Sequence, residues 1–321
     1  MNQEEFDQQF EELVNEYNFA HNKENNLTAL RLVKEMKRFA KAHRQLVPYI
    51  EAGFYQMNAG SRLFELEQEI ENSMELIALL ESEEKAKKFQ HDYDQDHYDF
   101  KVYWILPCAY HNLASNMAYQ KGYNSPIVHG TVDDGLQVCR KVGNQEAPIY
   151  FREFAVEACI AAGDYEMGEH YNQLCYSVVE KEIEFRRLWI ELNDKVRLLI
   201  CKGMLSDALD VQKKAMVSSE LTVSPSWARL EGQLLLEKIL WLMGNENEQE
   251  LILQSLGVTF DSAEIPVFEE CPEYYILKVQ VEAVKLVRQN QPLEAAEKLA
   301  KMERFVLGQG NIRYWFDLRC Y

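Results

Sequence analysis

The sequence predicts an all-α protein in which antiparallel helix pairs repeat along the chain. Apolar residues recur every three or four positions, as in Leu27, Leu30 and Val33, and no segment alternates with a period of two. Only 14 glycines and 8 prolines punctuate the 321 residues. Four helix-like runs end at glycines spaced 41, 40 and 41 residues apart, namely Gly122, Gly163, Gly203 and Gly244. A constant period of about 20–50 residues is typical of stacked repeats, so we expect an α-α superhelix, a solenoid of about seven antiparallel helix pairs.

Prolines and capping residues mark where the predicted helices begin. Four prolines stand at the start of an apolar run, which is the helix position that tolerates proline: Pro148, Pro225, Pro272 and Pro292. Thr131 also reads as a helix start, and Pro107 either starts a helix or kinks one. The predicted pairs are 5–21 with 27–44, 48–59 with 62–81, 100–121 with 132–141, 147–162 with 165–181, 185–202 with 205–217, 226–243 with 246–256, and 272–289 with 292–306.

One charged and poorly periodic segment, 83–99, divides the chain in this prediction. We expect it to be a loop or hinge between N-terminal helical hairpins, 1–82, and a repeat array, 100–321. Asp92, Asp94 and Asp96 match the first ligand positions of a calcium loop. However, His97 replaces the glycine that such a loop requires, so we predict a hydrated acidic loop and no metal site.

Charge and cysteine usage restrict the class of protein and of partner. The formal net charge of −18 disfavours binding to nucleic acid or to an anionic membrane. Apolar stretches such as Val102–Ala109 are far shorter than a membrane span, and Met1–Phe6 is acidic, unlike a secretory signal. Seven scattered cysteines without a C-x-x-C pair indicate reduced core thiols, so we expect a cytoplasmic protein.

A local exception to the acidic character is a basic ridge at helical spacing. It consists of Arg31, Lys34, Lys37, Arg38, Lys41 and Arg44. An acidic run follows it at Glu65, Glu67, Glu69, Glu71 and Glu75. We expect two solvated helix faces that pack side by side, and a docking site for an acidic partner is the alternative.

The turns between the predicted helices resemble those of the tetratricopeptide family. The stretches that carry this resemblance are 112–123, with its closing glycine, then 162–168, 202–209 and, more weakly, 291–296. In the family, a small residue after each turn lets the second helix pack closely. This chain departs from the family because its period is about 40 rather than 34 residues. In addition, Val156, Val196 and Glu237 stand where the first helices would carry small residues.

The resemblance implies a concave groove lined by the first helix of each pair. Counting back ten and six residues from each turn glycine gives a mostly polar ladder: Asn112, Asn116, Glu153, Glu157, Asn193, Arg197, Leu234 and Lys238. In family members such ladders bind extended peptides, with Asn, Lys and Arg contacting the peptide backbone or its terminal carboxylate. The two glutamates would prefer a basic residue on the ligand. Three aromatic residues near the same face, Tyr119, Tyr150 and Trp241, would supply apolar pockets.

The leading hypothesis is therefore a non-enzymatic scaffold or adaptor that binds a protein or peptide and needs no cofactor. The sequence lacks the glycine-rich phosphate-binding motifs, the G-x-S-x-G nucleophile motif and the H-E-x-x-H metal motif. One alternative is a signalling regulator, in which N-terminal helices dock an effector and the repeats sense a ligand. The other is an α/α-toroid carbohydrate-active enzyme using Glu153 and Glu157. A simpler role for the ladder residues is to solvate the groove or to bond neighbouring helices.

Overall fold

Helices form all the regular secondary structure in the part of the chain that the structure describes. This computed structural model describes residues 2–23, 25–182, 185–221, 226–245 and 272–308, with the single positions 248, 251, 252 and 255. Over these residues there is no strand, which confirms the all-α fold class. The helices up to residue 142 are α1 Gln3–Asn22, α2 Asn26–Ala42, α3 Leu46–Gly60, α4 Leu66–Glu81, α5 Glu83–Phe89, α6 Gln95–Lys121 and α7 Pro126–Val142. The later ones are α8 Pro148–Ala162, α9 Tyr165–Glu182, α10 Phe185–Cys201, α11 Leu205–Leu221, α12 Ser226–Met243, α13 Pro272–Arg288 and α14 Pro292–Gly308.

The chain forms two compact units, in each of which helices pack against their neighbours in sequence. Of the described residues, unit 1 holds those up to 151, and unit 2 holds those from 152 to 255 and from 273 to 308. In unit 1, α1 packs on α2, α2 on α3, α3 on α4, α4 on α6 and α6 on α7. In unit 2, α9 packs on α10, α10 on α11 and α11 on α12, and α10 also contacts α12. This packing between consecutive helices is the arrangement expected of helical repeats.

Three of the four regularly spaced glycines close their helices with the same turn. Gly163, Gly203 and Gly244 have φ of 74°, 74° and 80°. After each of them, the next backbone N–H donates to the carbonyl five residues earlier, at a distance of 2.9 Å in all three turns. This left-handed C-terminal turn satisfies helix carbonyls that would otherwise lack a partner, and glycine adopts it without steric cost.

The first glycine of the series, Gly122, behaves differently. Its ψ of 151° is extended, so the chain leaves α6 without the recurrent turn. Consequently α7 begins at Pro126, six residues before the predicted start at 132, and Thr131 lies within the helix with its hydroxyl donating to the Ile127 carbonyl. The predicted start at Thr131 is therefore wrong, because Pro126 already provides a favourable first helical residue.

Small residues occur where second helices approach their neighbours closely, as the resemblance implied. A Cβ atom on Gly168 of α9 would lie 2.8 Å from Leu198 and 3.3 Å from Cys159. The corresponding residues of α11 and α14, Ala208 and Ala295, are fully buried. The shortened side chains let these helices pack near contact distance, which favours dense burial of the surrounding apolar groups.

The segment 83–99 differs from the expected loop. It contains α5 and the first turn of α6, and α5 buries Ala86. The side-chain oxygen of Gln90 accepts a hydrogen bond from the Leu46 backbone N–H and thereby caps α3. Tyr98 donates its hydroxyl to the Leu79 carbonyl of α4. Because these contacts fix the segment to unit 1, the division between compact units falls at 151–152 instead.

Proline and the start of α4 provide two further differences from the sequence prediction. Pro107 lies buried inside α6, so it does not begin a helix. The helix predicted at 62–81 begins at Leu66, because Phe64 takes a left-handed conformation with φ of 61°. The preceding 3-10 turn, Ser61–Leu63, fills the connection between α3 and α4.

Two glycines at α7 allow a direct test of the turn geometry. Gly143 follows the helix with φ of 74°, whereas Gly130 lies within the helix, and a Cβ atom at either position meets open space. We expect Gly143→Ala to lower the free energy of unfolding by about 1 kcal/mol, because a Cβ is strained in the left-handed region. The matched Gly130→Ala should raise it by about 0.5–1 kcal/mol. Urea unfolding measures both, and equal effects would contradict the assignment.

Candidate functional site

The residues predicted to line a peptide groove fall in both units. Four belong to unit 1: Asn112, Asn116, Tyr119 and Tyr150. The other six belong to unit 2: Glu153, Glu157, Asn193, Arg197, Lys238 and Trp241. The two sets are therefore described separately.

In unit 1, the two asparagines take part in a buried polar seam between α3, α4 and α6. Ser73 donates to the Asn112 Oδ1 at 2.9 Å, and the Asn112 amide donates to the Ser61 hydroxyl at 2.9 Å. The Asn116 amide donates to the Asn112 Oδ1 at 2.9 Å, and Asn116 is fully buried. These side chains bond neighbouring helices, so binding of a peptide by Asn116 would require the helices to separate.

The two unit 1 aromatic residues, Tyr119 and Tyr150, are only partly buried. The ring centroid of Tyr150 lies 5.7 Å from that of His111, while His111 also meets the edge of Phe151 at 5.7 Å. Tyr150 therefore extends an aromatic cluster at the start of α8. Its role as a peptide pocket stays a prediction.

In unit 2, polar side chains of α8 and α10 meet across the helix–helix seam. The Arg197 guanidinium lies 3.9 Å from the Glu157 carboxylate and 3.3 Å from that of Asp194. The Arg197 and Glu157 side chains are 32% and 25% exposed, whereas Asp194 is 6% exposed. The spacing of four residues puts Asn193 on the same side of α10 as Arg197, and Asn193 is buried.

A second set of polar contacts joins α12 to α13. Lys238 is buried, with its ammonium 3.5 Å from the Gln280 side-chain oxygen. Glu237 forms an ion pair with Lys285, and the Lys285 ammonium lies 5.3 Å from the Trp241 ring centroid. Burial lowers the pKa of Lys285, because desolvation disfavours its charged form.

We call this set of side chains the first-helix face of unit 2, of which Asn193, Lys238 and Gln280 are buried. It comprises Glu153 and Glu157 of α8, Asn193 and Arg197 of α10, Lys238 and Trp241 of α12, and Gln280 and Lys285 of α13. The three cross-helix contacts show that α8 neighbours α10 and that α12 neighbours α13. The sequence predicted six of these eight residues but not Gln280 and Lys285, because the irregular spacing before residue 272 hid their register.

The Cys175 thiol of α9 is affected by charged side chains of α8 and α10. Burial raises the pKa of the Cys175 thiol of α9, and the negative charges of Glu191 and Glu153 raise it further. Asp194 acts in the same direction, while Arg152 opposes them. Among the charged groups that act on this thiol, three are carboxylates and one is a guanidinium.

Two buried side-chain amides each join the second helix of one pair to the first helix of the next pair. The sequence prediction overlooked both. Asn172 of α9 donates to the Glu191 carbonyl of α10 at 2.8 Å. Gln212 of α11 donates to the Gly232 carbonyl of α12 at 3.0 Å. Asn172 and Gln212 each stand nine residues after a turn glycine, so the 40-residue period contained the signal that identifies them.

The basic ridge on α2 packs beside the acidic helix α4, as expected. Lys34 pairs with Glu65 at 2.8 Å, and Lys37 pairs with Glu75 at 2.8 Å. The Tyr49 hydroxyl donates to the other Glu75 oxygen at 2.6 Å, and the hydrogen bonds from Lys37 and Tyr49 outweigh burial to lower the pKa of Glu75. Docking of an acidic partner stays a prediction for the exposed remainder of the ridge.

The acidic stretch before α6 acts in helix capping. Asp94 accepts from the His97 backbone N–H at 3.0 Å and pairs with its ring at 2.9 Å. In the described residues, no three His, Cys, Asp or Glu side chains converge in a way that would hold a metal ion. The same part of the chain contains no helix with the length and apolar character needed to cross a bilayer.

Comparisons with known proteins give no assignment. A scan against protein-family models finds no match, and a search of curated proteins finds no significant match. The resemblance to the tetratricopeptide family therefore stays a prediction that rests on the turns and small residues of this chain.

The ion pair between α12 and α13 yields a stability prediction. We expect Lys285→Met to lower the free energy of unfolding by about 1–3 kcal/mol, because Glu237, only 7% exposed, loses its partner. Adding Glu237→Gln should restore at least half of this loss. The matched control is Lys298→Met, which removes an ion pair with Glu282 in which both side chains are more than one-third exposed. This control should change the free energy of unfolding by less than about 0.5 kcal/mol. Urea unfolding of Lys285→Met, Glu237→Gln, the double variant and Lys298→Met measures the coupling, and additive losses from the two single changes at 285 and 237 would contradict it.

Proposed function

We propose that this protein is a non-enzymatic helical-repeat adaptor. In this proposal, the first-helix face of unit 2 binds an extended segment of a partner protein, and that segment carries lysine or arginine. The observation that carries the proposal is the partly exposed ion pair of Glu157 with Arg197 between α8 and α10, which is continued by buried polar contacts between α12 and α13. The proposal also rests on the predicted relation to peptide-binding helical repeats.

Partly exposed ion pairs suit reversible binding. The pair of Glu157 with Arg197 is about one-quarter to one-third exposed, so it is worth little in water. A ligand cation that takes the place of Arg197 beside Glu157 would recover a similar interaction and would add the contact area of its own chain. Exchange of partners at such a pair therefore costs little free energy.

The charges on this face favour a basic ligand over a carboxylate. Arg197 already contacts Glu157 and Asp194, and Lys238 already contacts Gln280. Glu153 and Glu191 add further negative potential around α9. A ligand carboxylate would meet this potential, whereas a lysine or arginine side chain would be attracted by it.

The carbohydrate-active alternative receives no support from the placement of its two carboxylates. Glu153 and Glu157 lie one turn apart on α8, so they share one side of a helix. Glycosidase carboxylates instead flank the scissile bond from opposite sides, about 5–10 Å apart. We therefore carry the adaptor function forward.

Selection from a random peptide library tests this proposal, because such a library assumes nothing about the identity of the partner. We expect the full-length protein to enrich extended peptides that contain lysine or arginine. Glu157→Gln and Glu153→Gln should each lower the affinity for the enriched peptides about 10-fold, because each removes a charge–charge interaction of roughly 1.4 kcal/mol. The matched control is Glu166→Gln, at an exposed position on α9. Fluorescence anisotropy measures the affinities, and enrichment of acidic peptides, or equal affinities for all variants, would refute the assignment.

A further inference from the structure

Unit 1 contains a carboxyl group in a position where charge is costly. Glu69, near the start of α4, is fully buried. Its Oε1 accepts a hydrogen bond from the Gln56 amide of α3 at 3.0 Å. Within the described part of the chain, its Oε2 is buried and has no hydrogen-bond partner. A buried carboxylate ordinarily needs several donors to replace its hydration, so this site suits the neutral acid better than the anion.

The backbone of α3 is shaped around this carboxyl. A Cβ atom on Gly60, the last residue of α3, would lie 2.2 Å from the Glu69 Oε1 and 2.4 Å from its carboxyl carbon. Any larger residue at position 60 would displace the acid, so the glycine provides the space that the carboxyl fills.

Nearby cations do not neutralise Glu69 directly. The charged groups that act on it are Lys37 and Lys34 of α2 and Glu65, which precedes α4, while α3 contributes the uncharged Gln56. Lys34 and Lys37 are themselves bonded to other carboxylates, as described above. Burial raises the pKa of Glu69 to about 7, against the opposing effects of Gln56 and Lys37.

We propose that Glu69 is a proton-binding latch that holds α3 and α4 together more tightly when its carboxyl is protonated. The step is a simple proton uptake: the carboxylate binds one proton from solvent, and the neutral acid keeps the Gln56 hydrogen bond without the cost of a buried charge. Deprotonation leaves a charged oxygen without a donor and weakens the junction between the two helices. Unit 1 would thereby couple the packing of its second helix pair to pH near neutrality.

The direction in which folding stability depends on pH follows from the raised pKa of Glu69. The pKa of Glu69 is higher in the folded chain, about 7, than the ordinary value of 4.5. The stabilisation by protonation is therefore fully present below about pH 4.5 and is lost as the pH rises through about 7. With these two pKa values, the contribution of Glu69 to the folding equilibrium constant falls about 70-fold between pH 5 and pH 8.

Hydrogen exchange of the full chain tests the latch at its own location. We expect amides of α3 and α4 in the wild type to lose protection from pH 5 to pH 8, after correction for intrinsic exchange. Glu69→Gln places a neutral residue of the same shape at this position. It should therefore reduce the loss of protection between pH 5 and pH 8 by a factor of up to about 70. The matched control Glu67→Gln, at an exposed position of the same helix, should retain the wild-type profile.

A measurement on the wild type keeps the test independent of any variant's folding. The carboxyl carbon of Glu69, assigned by carbon-13 NMR, should titrate near pH 7. Titration near pH 4.5, or a pH profile of α3 and α4 protection that is the same in wild type and Glu69→Gln, would overturn the proposal. Neither result depends on peptide binding by unit 2, so the two proposals fail separately.

Discussion

Within the described residues, the helices of this protein bury their apolar surface mainly against helices close to them in sequence, and the rest of the structure depends on that constraint. A pair of amphipathic helices has too little interior to be stable alone, so stability comes from stacking one pair on the next. Stacking requires that successive helices reverse direction at similar places and approach closely. The left-handed turns at Gly163 and Gly203 meet the first requirement, and the small residues Gly168 and Ala208 meet the second.

Close stacking also brings polar groups into the seams between helices. Three buried amides in these seams obtain a hydrogen bond in the same way. Each donates an amide hydrogen to a backbone carbonyl of a neighbouring helix: Asn72, Asn172 and Gln212. A carbonyl in a helix has a second lone pair, so it accepts this bond without losing its helical one. These amides fix the register of neighbouring helices, since a shift by one residue would leave a buried amide without an acceptor.

The two proposals arise from seams where the polar groups are less completely hydrogen-bonded or less completely buried. On the first-helix face of unit 2, the ion pair of Glu157 with Arg197 is partly exposed. At the α3–α4 junction of unit 1, Glu69 has one hydrogen bond for two oxygens. Partly exposed pairs suit ligand exchange, while a buried acid with few donors suits proton binding. The two proposals therefore differ because the two places differ in their access to water.

Over the described residues, local chemistry in the sequence was sufficient to predict the helices other than α5, most of their ends and the recurrent turns, because periodic apolar residues, glycine and proline act over a few positions. The predicted helix 246–256 lies largely outside the described residues. Counting back from the turns, as the resemblance implies, also selected Glu157 and Arg197, which form an ion pair between α8 and α10, while the peptide groove stays a prediction. The prediction was less accurate where a helix end depends on distant packing. The segment 83–99, charged and aperiodic, becomes helix α5 and the start of α6 because Gln90 and Tyr98 bond to α3 and α4.

Burial of individual polar residues was decided by the tertiary structure alone. In the sequence, Glu69 stands among alternating glutamates and reads as part of a solvated face, yet it lies on the stripe of α4 that continues through Ser73 and Leu76, both buried. Asn116 reads as a groove residue, yet Ser61 and Asn112 enclose it. The amino-acid sequence thus determined that this protein is a series of paired helices with regular turns. Whether Glu69 and Asn116 are buried or exposed depended on how α3, α4 and α6 cross. That crossing is set by groups far apart in sequence, and no local pattern encodes it.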